Sequence, residues 1–346
     1  MNTRETEEFN MSRDTISIHF VNAALTGVKR LGMDVETLLS HVGIEAELLR
    51  QPKARISPEQ YTRFVKMLWM VTQDEHIGFS QDIRRLGSFA IMCQLVVHAK
   101  TLGDALELST QFYKLFGDEW CVTLERDKHE ARLVPLVPKD ADPDHYITES
   151  MLMIWHGLAA WLIDRRLPLE RVHFNYPRPN HADEYDALFF APVMKFDAAR
   201  TEITFAADYL ELPIRQTGET LEDFLKTAPA DLLVKFKNTH SLTSRIRDVL
   251  KSQIGEEMPT LNDVASMLYL SPQTLRRRLA AEGKSYQGVK DALRRDAAIH
   301  LLLNPKLTLE DVAQQVGFSE TSTFHRAFKK WTGVTPGLYR QLHGYH

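Results

Sequence analysis

Cysteine is scarce in this chain: Cys93 and Cys121 are its only two. Two distant thiols cannot assemble a multi-cysteine metal cluster, and they give no disulfide framework. Both are expected to be reduced and at least partly buried. Long apolar runs are missing too. No stretch approaches the ~18 consecutive apolar residues of a membrane-crossing helix, so no membrane partner is expected. Met1 to Asp14 is polar and charged, with no apolar centre. That is not a secretory signal, and a frayed tail over residues 1–15 of a cytoplasmic protein is the expectation. The 14 histidines are scattered, with no HxH or HExxH grouping of metal-ligand spacing. Neither a phosphate-binding loop nor a GxSxG elbow appears. No metal, no cofactor and no catalytic residue is expected, and the chain does not read as an enzyme. Arg84-Arg85 and Asp164-Arg165-Arg166 read as solvated helix ends rather than anion sites.

What is present is length and an ordinary globular composition. The 346 residues, 44% hydrophobic and 25% charged, suffice for two domains with separate cores. The formal net charge is −4, which alone speaks against a nucleic-acid binder. Its distribution reverses that. From His240 onward 15 Lys and Arg stand against 10 Asp and Glu, a net of +5, and the preceding part carries −9. An acidic domain on a basic one fits a sensor joined to a DNA reader.

Pro259 to Arg340 contains one pattern twice. Leu261-Asn262-Asp263-Val264-Ala265, Leu268 and Leu270-Ser271 recur 48 residues later as Leu309-Glu310-Asp311-Val312-Ala313, Val316 and Phe318-Ser319. The second copy then gains one residue, so that Leu275 answers to Phe324 and Leu279 to Phe328. A shared apolar register marks a duplicated supersecondary unit. Leu261, Val264, Ala265 and Leu268 line one face of a short helix. Ser271-Pro272 reads as an N-cap followed by Pro at the first helical position, with a second helix to about Glu282. In the second copy Gly317-Phe318 turns, Ser319 is the expected cap, and a helix runs to about Trp331. Helix, tight turn, helix is the helix-turn-helix, whose second helix enters the DNA major groove. Gly317 suits a turn with positive φ. Tyr269 stands in its place in the first copy, at a cost of ~1 kcal/mol if that φ is kept.

With Leu275 and Leu279 inward, Gln273, Arg276 and Arg277 project from the opposite face. Gln suits adenine edges, and Arg suits guanine edges or phosphates. With Phe324 and Phe328 inward, Thr321, Ser322, His325 and Arg326 project from the second copy. Arg278, Lys329 and Lys330 are placed for phosphates, which fix register rather than sequence.

These residues also resemble a family. Gly317-Phe318-Ser319, Phe324, Arg326, Phe328-Lys329, Gly333, Thr335-Pro336 and Tyr339-Arg340 are similar to the C-terminal signature of AraC/XylS-type transcription regulators. The resemblance covers both helix-turn-helix copies. It implies double-stranded DNA as partner and two recognition helices joined by a long rigid helix, here about Tyr286 to Leu303. At ~1.5 Å per residue that helix spans ~27 Å, close to the ~34 Å between successive major-groove turns.

Before this region the chain mixes helices and short strands. Ile16 to Leu31, Val35 to His41, Pro58 to Val71, Leu86 to Lys100, Thr101 to about Phe116 and Asp144 to Arg166 read as helices. Cys121 to Arg126 and Ala131 to Val137 read as a hairpin. Pro135 and Pro138 place its second strand at an edge or end it early. Leu169 to Tyr176, Val193 to Phe196 and Glu202 to Phe205 read as further strands, and His181 to Phe190 as a short helix.

This half has its own resemblance. Thr101-Leu102-Gly103-Asp104-Ala105-Leu106, His173-Phe174, Tyr176-Pro177, Pro179, Glu184-Tyr185, Phe189, Pro192-Val193 and Phe196 resemble the arabinose-binding-like sensor domain of AraC-type regulators of the ornithine-utilisation type. That implies a small-molecule effector: an amino acid, a small carboxylate or a fatty acid. Such pockets are mostly apolar with a few polar groups. Phe89, Trp120, Met151, Trp155 and Phe174 are candidates to line one, each as readily a plain core residue. A carboxylate-bearing ligand would want a cation such as His156 or His173.

The expected fold is an α+β sensor domain, helices with a small mostly antiparallel sheet, joined to an all-α domain of two helix-turn-helix units on a long helix. Residues 16–215 are assigned to sensing and oligomerisation, 216–239 to the connection and 240–346 to DNA binding. The expected function is an effector-responsive activator of a catabolic or virulence-type operon, working as a homodimer with RNA polymerase. The alternative is an N-terminal oligomerisation or partner-binding module with no small ligand.

Overall fold

The computed structural model describes residues 15–343 apart from 118, 139, 190, 227, 229–231, 233–241, 252, 256–257 and 282–283. The expected tail before Thr15 and most of the expected connection beyond residue 226 lie outside the described residues. The chain divides into two compact units. One takes His19–Leu38 and Thr62–Lys237; the other takes the chain up to Ile18, Leu39–Tyr61 and Asn238–His346.

The first unit is α+β. Its helices are α1 (Ile18–Arg30), α2 (Val35–His41), α3 (Pro58–Thr72), α4 (Ser88–Val96), α5 (Leu102–Lys114), α6 (Tyr146–Leu162), α7 (Tyr185–Leu188) and α8 (Gly218–Leu225), the first three running partly into the other unit. α5 starts where Thr101 and Asp104 exchange hydrogen bonds across the first turn, the Thr side chain accepting from Asp104 N and the Asp side chain from Thr101 N. That arrangement satisfies two orphan backbone donors. Both cysteines are buried.

Five strands, β3 (Cys121–Arg126), β4 (Glu130–Leu136), β5 (Arg171–His173), β6 (Val193–Lys195) and β7 (Glu202–Ala206), form one sheet in the order β3-β4-β7-β5-β6. Every pairing is antiparallel except β5 with β6. The edge position expected for the proline-bearing strand is not observed: β4 lies between β3 and β7. Pro135 is accommodated because β7 pairs only with Glu130 to Leu133. Beyond Leu133 that side of β4 asks for no ladder donor, which proline could not supply.

β5 is shorter than the apolar alternation from Leu169 to Tyr176 predicts. Past His173 the backbone finds other partners: Asn175 N donates to Thr201 Oγ1, and Asp197 N donates to the Tyr176 carbonyl. Phe174 and Tyr176 thereby join Tyr185, Phe189 and Phe196 in an aromatic cluster. Glu149, on α6, is buried beneath it and accepts hydrogen bonds from the hydroxyls of Tyr176, at 2.9 Å, and Tyr185. Burial pushes its carboxyl up to about 8, against the two phenol donors that favour the charged form.

In the second unit, β1 (Ile16–Ser17) pairs antiparallel with β2 (Arg55–Ile56). The rest is helical: α9 (Leu242–Lys251), α10 (Leu261–Met267), α11 (Pro272–Ala281), α12 (Tyr286–Leu302), α13 (Leu309–Gln315), α14 (Thr321–Thr332) and α15 (Pro336–His343). Two apolar clusters share α12. Its Val289 and Leu293 pack with Ile246, Leu250, Val264, Leu275 and Leu279. Its Ala297, Ala298, Ile299, Leu301 and Leu302 pack with Val312, Ala313, Phe324, Phe328 and Tyr339. The 17 residues of α12 span ~26 Å and form one stiff connection between the two cores.

A buried polar network binds the early segments into this unit. Asp296 of α12 accepts from Thr15 Oγ1 at 2.7 Å, Arg247 Nη2 at 3.1 Å and Arg295 Nη2 at 2.9 Å. Arg55 donates from Nε to Thr15 Oγ1 and from Nη2 to the Thr15 carbonyl, both at 2.7 Å. The Arg55 carbonyl accepts from Tyr339 Oη at 2.6 Å. Burial alone would raise the Asp296 carboxyl, but Arg295, Arg247 and Arg55, with the Thr15 hydroxyl, hold it below the ordinary carboxylate value.

Two stability outcomes follow. Asp296→Ala leaves arginines without their buried counter-charge and is expected to cost ~3–5 kcal/mol in urea denaturation of the full chain. A loss under ~1 kcal/mol would mean that the network contributes little. For Glu149 the folded state favours the protonated carboxyl. The stability it contributes is complete below its ordinary value of 4.5 and is lost as pH rises through about 8. The thermal midpoint should therefore drop between about pH 4.5 and pH 8. Glu149→Gln, which cannot ionise, should drop less; parallel curves would acquit Glu149.

Candidate functional site

The duplicated pattern folds as two helix-turn-helix units. α10 and α13 begin identically: Thr260 with Asp263, and Thr308 with Asp311, form reciprocal caps. These caps extend the 48-residue register one position upstream of the apolar repeat. The turns after them differ in chemistry and agree in shape. Gly317 has φ 80° and Tyr269 has φ 56°, so the left-handed residue is kept where the first copy has no glycine. Tyr269 is 96% exposed, which leaves its ring free of clashes while its backbone bears the strain.

α11 starts as expected, with Thr274 N donating to Ser271 Oγ at 3.1 Å and Pro272 as its first residue. The second copy departs from expectation. Glu320, not Ser319, is the N-cap residue of α14, and it makes no side-chain cap bond. The residue gained in this copy moves the helix start by one position.

The outward faces carry the expected side chains. On α11, Leu275 and Leu279 are buried, and Gln273, Arg276, Arg277 and Arg278 are exposed. On α14, Phe324 and Phe328 are buried, and Ser322, Arg326, Lys329 and Lys330 are exposed. Thr321 and His325 are half-buried, the His325 ring set edge-on to Phe324 with centroids 6.1 Å apart. Thr323 is exposed on the same helix and accepts from Arg326 Nη2 at 3.4 Å. Reading α14 only from its buried phenylalanines passes over Thr323, because it directly precedes one of them.

The other unit contains a cleft of about 580 Å³ counting its open mouth. α3, α4, α5, α6 and the start of β3 contribute Trp69, Phe89, Tyr113, Cys121, Ile147, Ser150, Met151, Ile154 and Trp155, and the loops contribute Glu75, His76, Arg84 and Trp120. The expected Phe89, Trp120, Met151 and Trp155 thus come together in one wall. His156 and Phe174 are elsewhere in the unit. His156 Nε2 is 2.7 Å from the Leu167 carbonyl, and Phe174 belongs to the aromatic cluster with Tyr176 and Tyr185. His173, the other expected cation, pairs with Glu202 at 3.2 Å.

The cleft's polar groups were not legible from spacing. Burial pushes Glu75 up to about 7, while its carboxylate accepts from Gly87 N and Phe89 N at the start of α4. Burial drives His76 down to about 3, with the Arg84 charge adding to the effect. Arg84 corrects an expectation: it is no solvated helix end but a residue 3% exposed, while its neighbour Arg85 is exposed.

Comparison with known proteins agrees with both halves. Residues 32–214, just over half of the chain, match the family model of the arabinose-binding N-terminal domain of AraC transcription regulators. Residues 264–342 match a helix-turn-helix domain model. The chain is 26% identical over 338 residues to an ornithine utilization regulator of Pseudomonas aeruginosa, covering 97% of this chain and 99% of that protein. It is 29% identical over 189 residues to the transcriptional activator NphR of a Rhodococcus species, covering 53% and 54%. Among solved structures, the transcriptional regulator CdpR of Pseudomonas aeruginosa covers 93% of this chain and 96% of its own, at 23% identity and a TM-score of 0.30.

Proposed function

Since the chain belongs to the AraC family of DNA-binding transcription regulators, we propose that it activates a catabolic operon by reading two adjacent major-groove segments under control of a small effector. The observation that carries this reading is the pair of exposed polar and basic helix faces, α11 and α14, mounted in register on one rigid α12. Gln273, Arg276 and Arg277 read base edges in one segment. Thr321, Ser322, His325 and Arg326 read the other. Arg278, Lys329 and Lys330 hold phosphates.

Residues 16–215 sense the effector and hold the homodimer, residues 216–239 connect, and residues 240–346 bind DNA, in the cytoplasm. RNA polymerase is the partner on the promoter. Activation is supported by the relative named a transcriptional activator, and a catabolic target by the relative named for ornithine utilization. The cleft lined by Trp120, Met151 and Trp155 is the effector site, and its largely apolar wall with a few convergent polar groups speaks for a ligand over a filled oligomerisation module. By linkage, the effector and DNA alter each other's affinity by the same factor.

The groove assignment is tested on a DNA site selected from a random pool by the wild-type protein. Arg276→Ala or Arg277→Ala should cost ~1–3 kcal/mol at the matched site and relax preference in one half of it. Lys329→Ala should weaken binding more evenly and lower the salt dependence. Parental binding by all three variants would remove the assignment. The sensing role is tested by a thermal-shift screen against amino acids, their breakdown products and fatty acids. A ligand at ~100 times its Kd should add ~2.7 kcal/mol of stability and change DNA affinity. A silent screen would transfer the N-terminal domain to oligomerisation alone.

A further inference from the structure

Arg84 is a buried cation that forms no ion pair among the described residues. Its backbone is pinned, because Arg84 N donates to Asp74 Oδ1 at 2.9 Å and its carbonyl accepts from Glu75 N at 2.7 Å. Its guanidinium carbon lies 4.3 Å from the Phe116 ring centroid and 5.4 Å from that of Tyr113. Nε and Nη1 are enclosed, with no hydrogen-bond partner among the described residues. The two nearby carboxylates are otherwise engaged. Asp74 also accepts from His76 N and Gly78 N, and Glu75 accepts from the first turn of α4. A buried guanidinium in this state is costly unless a counter-charge arrives.

The surroundings define that counter-charge. Arg84 is the one Lys or Arg among the cleft-lining residues, and Glu75 stands beside it. A multiply charged anion would meet Glu75, while a single carboxylate matches the guanidinium fork. Apart from His76 and Ser150, the rest of the wall is mainly aromatic and aliphatic, led by Trp69, Trp120 and Trp155. Trp120 has φ 60°, a strained conformation for so large a residue, and its ring lies 5.4 Å from that of His76. The His76 Nδ1 atom is also enclosed without a partner. Backbone strain of this kind gathers at ligand sites.

Resting on the effector reading above, we propose that the effector is an organic monocarboxylate. Its carboxylate pairs with Arg84, and its apolar body lies against Trp69, Trp120 and Trp155. Arg84 is then the group that selects the acid over a neutral molecule of the same shape.

The test is tryptophan fluorescence of the full-length protein titrated with 3-phenylpropionate and octanoate, each beside its amide. At least one acid should bind saturably, and its amide should bind about tenfold or more weaker, the size of a lost hydrogen-bonded ion contact. Arg84→Met should weaken the acid by a similar factor and leave the amide unchanged. Equal binding of acid and amide, no saturable binding of either acid, or an unaffected Arg84→Met would overturn the proposal. If Arg84→Met does not fold, the acid and amide pairs on the wild-type protein decide alone. L-phenylalanine binding more tightly than 3-phenylpropionate would also overturn it, because Glu75 would then be taking an ammonium group. DNA affinity measured in the same samples separates the two claims. An acid that binds through Arg84 without changing DNA affinity leaves this site standing and removes the regulatory reading.

Discussion

The carboxylate of Asp296 gathers stretches of chain that are far apart in sequence. Arg247 comes from α9, Arg295 from α12, and Thr15, itself held by Arg55, from the first segment of the described chain. A charge that deep in protein is tolerable only when several donors converge on it. Each of those donors therefore has its position dictated by the others. The backbone of Arg55 takes the Tyr339 hydroxyl as well, which carries the same constraint to the last helix. In this way β1, β2, α9, α12 and α15 are fixed by one polar centre as much as by their apolar faces.

Around that centre the two helix-turn-helix cores divide α12 between them. The first takes Val289 and Leu293, and the second takes the run from Ala297 to Leu302. The handover falls at Asp296. A stiff helix with an apolar cluster at each end keeps the two recognition helices at a fixed separation, and a two-segment reader requires that. The other unit is built on different principles. Its sheet is short-stranded, an aromatic cluster covers the buried carboxylate of Glu149, and Arg84 lies buried in its cleft.

Periodicity recovered what periodicity can encode. The buried Leu275, Leu279, Phe324 and Phe328 set the outward faces of α11 and α14, and the Gly317 turn predicted the unusual backbone of Tyr269. One inserted residue was enough to defeat the cap assignment at Ser319, because capping depends on single positions rather than on averages. Pro135 left an edge strand and an early end both open for a related reason. Proline reports only its own missing donor, and β4 is central where β7 pairs with it and unpaired on that side where the proline sits. Arg84 was illegible altogether. Its burial is made by Tyr113 and Phe116, residues about thirty positions away in a chain whose local composition there reads as surface. Among the candidates, Trp155 lines the cleft while the next residue, His156, meets the Leu167 carbonyl instead.

The membership of Thr15–Ile18 and Leu39–Tyr61 in the C-terminal unit bears on how this protein can be recombined. Regulators of this kind invite cutting at the start of the helix-turn-helix region and grafting the remainder onto another sensor. In this chain such a cut separates Asp296 from Thr15 and Arg55 while leaving it Arg247 and Arg295. The grafted piece would lose the Thr15 hydroxyl that donates to that carboxylate and the Arg55 carbonyl that accepts from Tyr339. The transferable module is therefore discontinuous, and the early segments must travel with the last hundred residues for the reader to arrive intact.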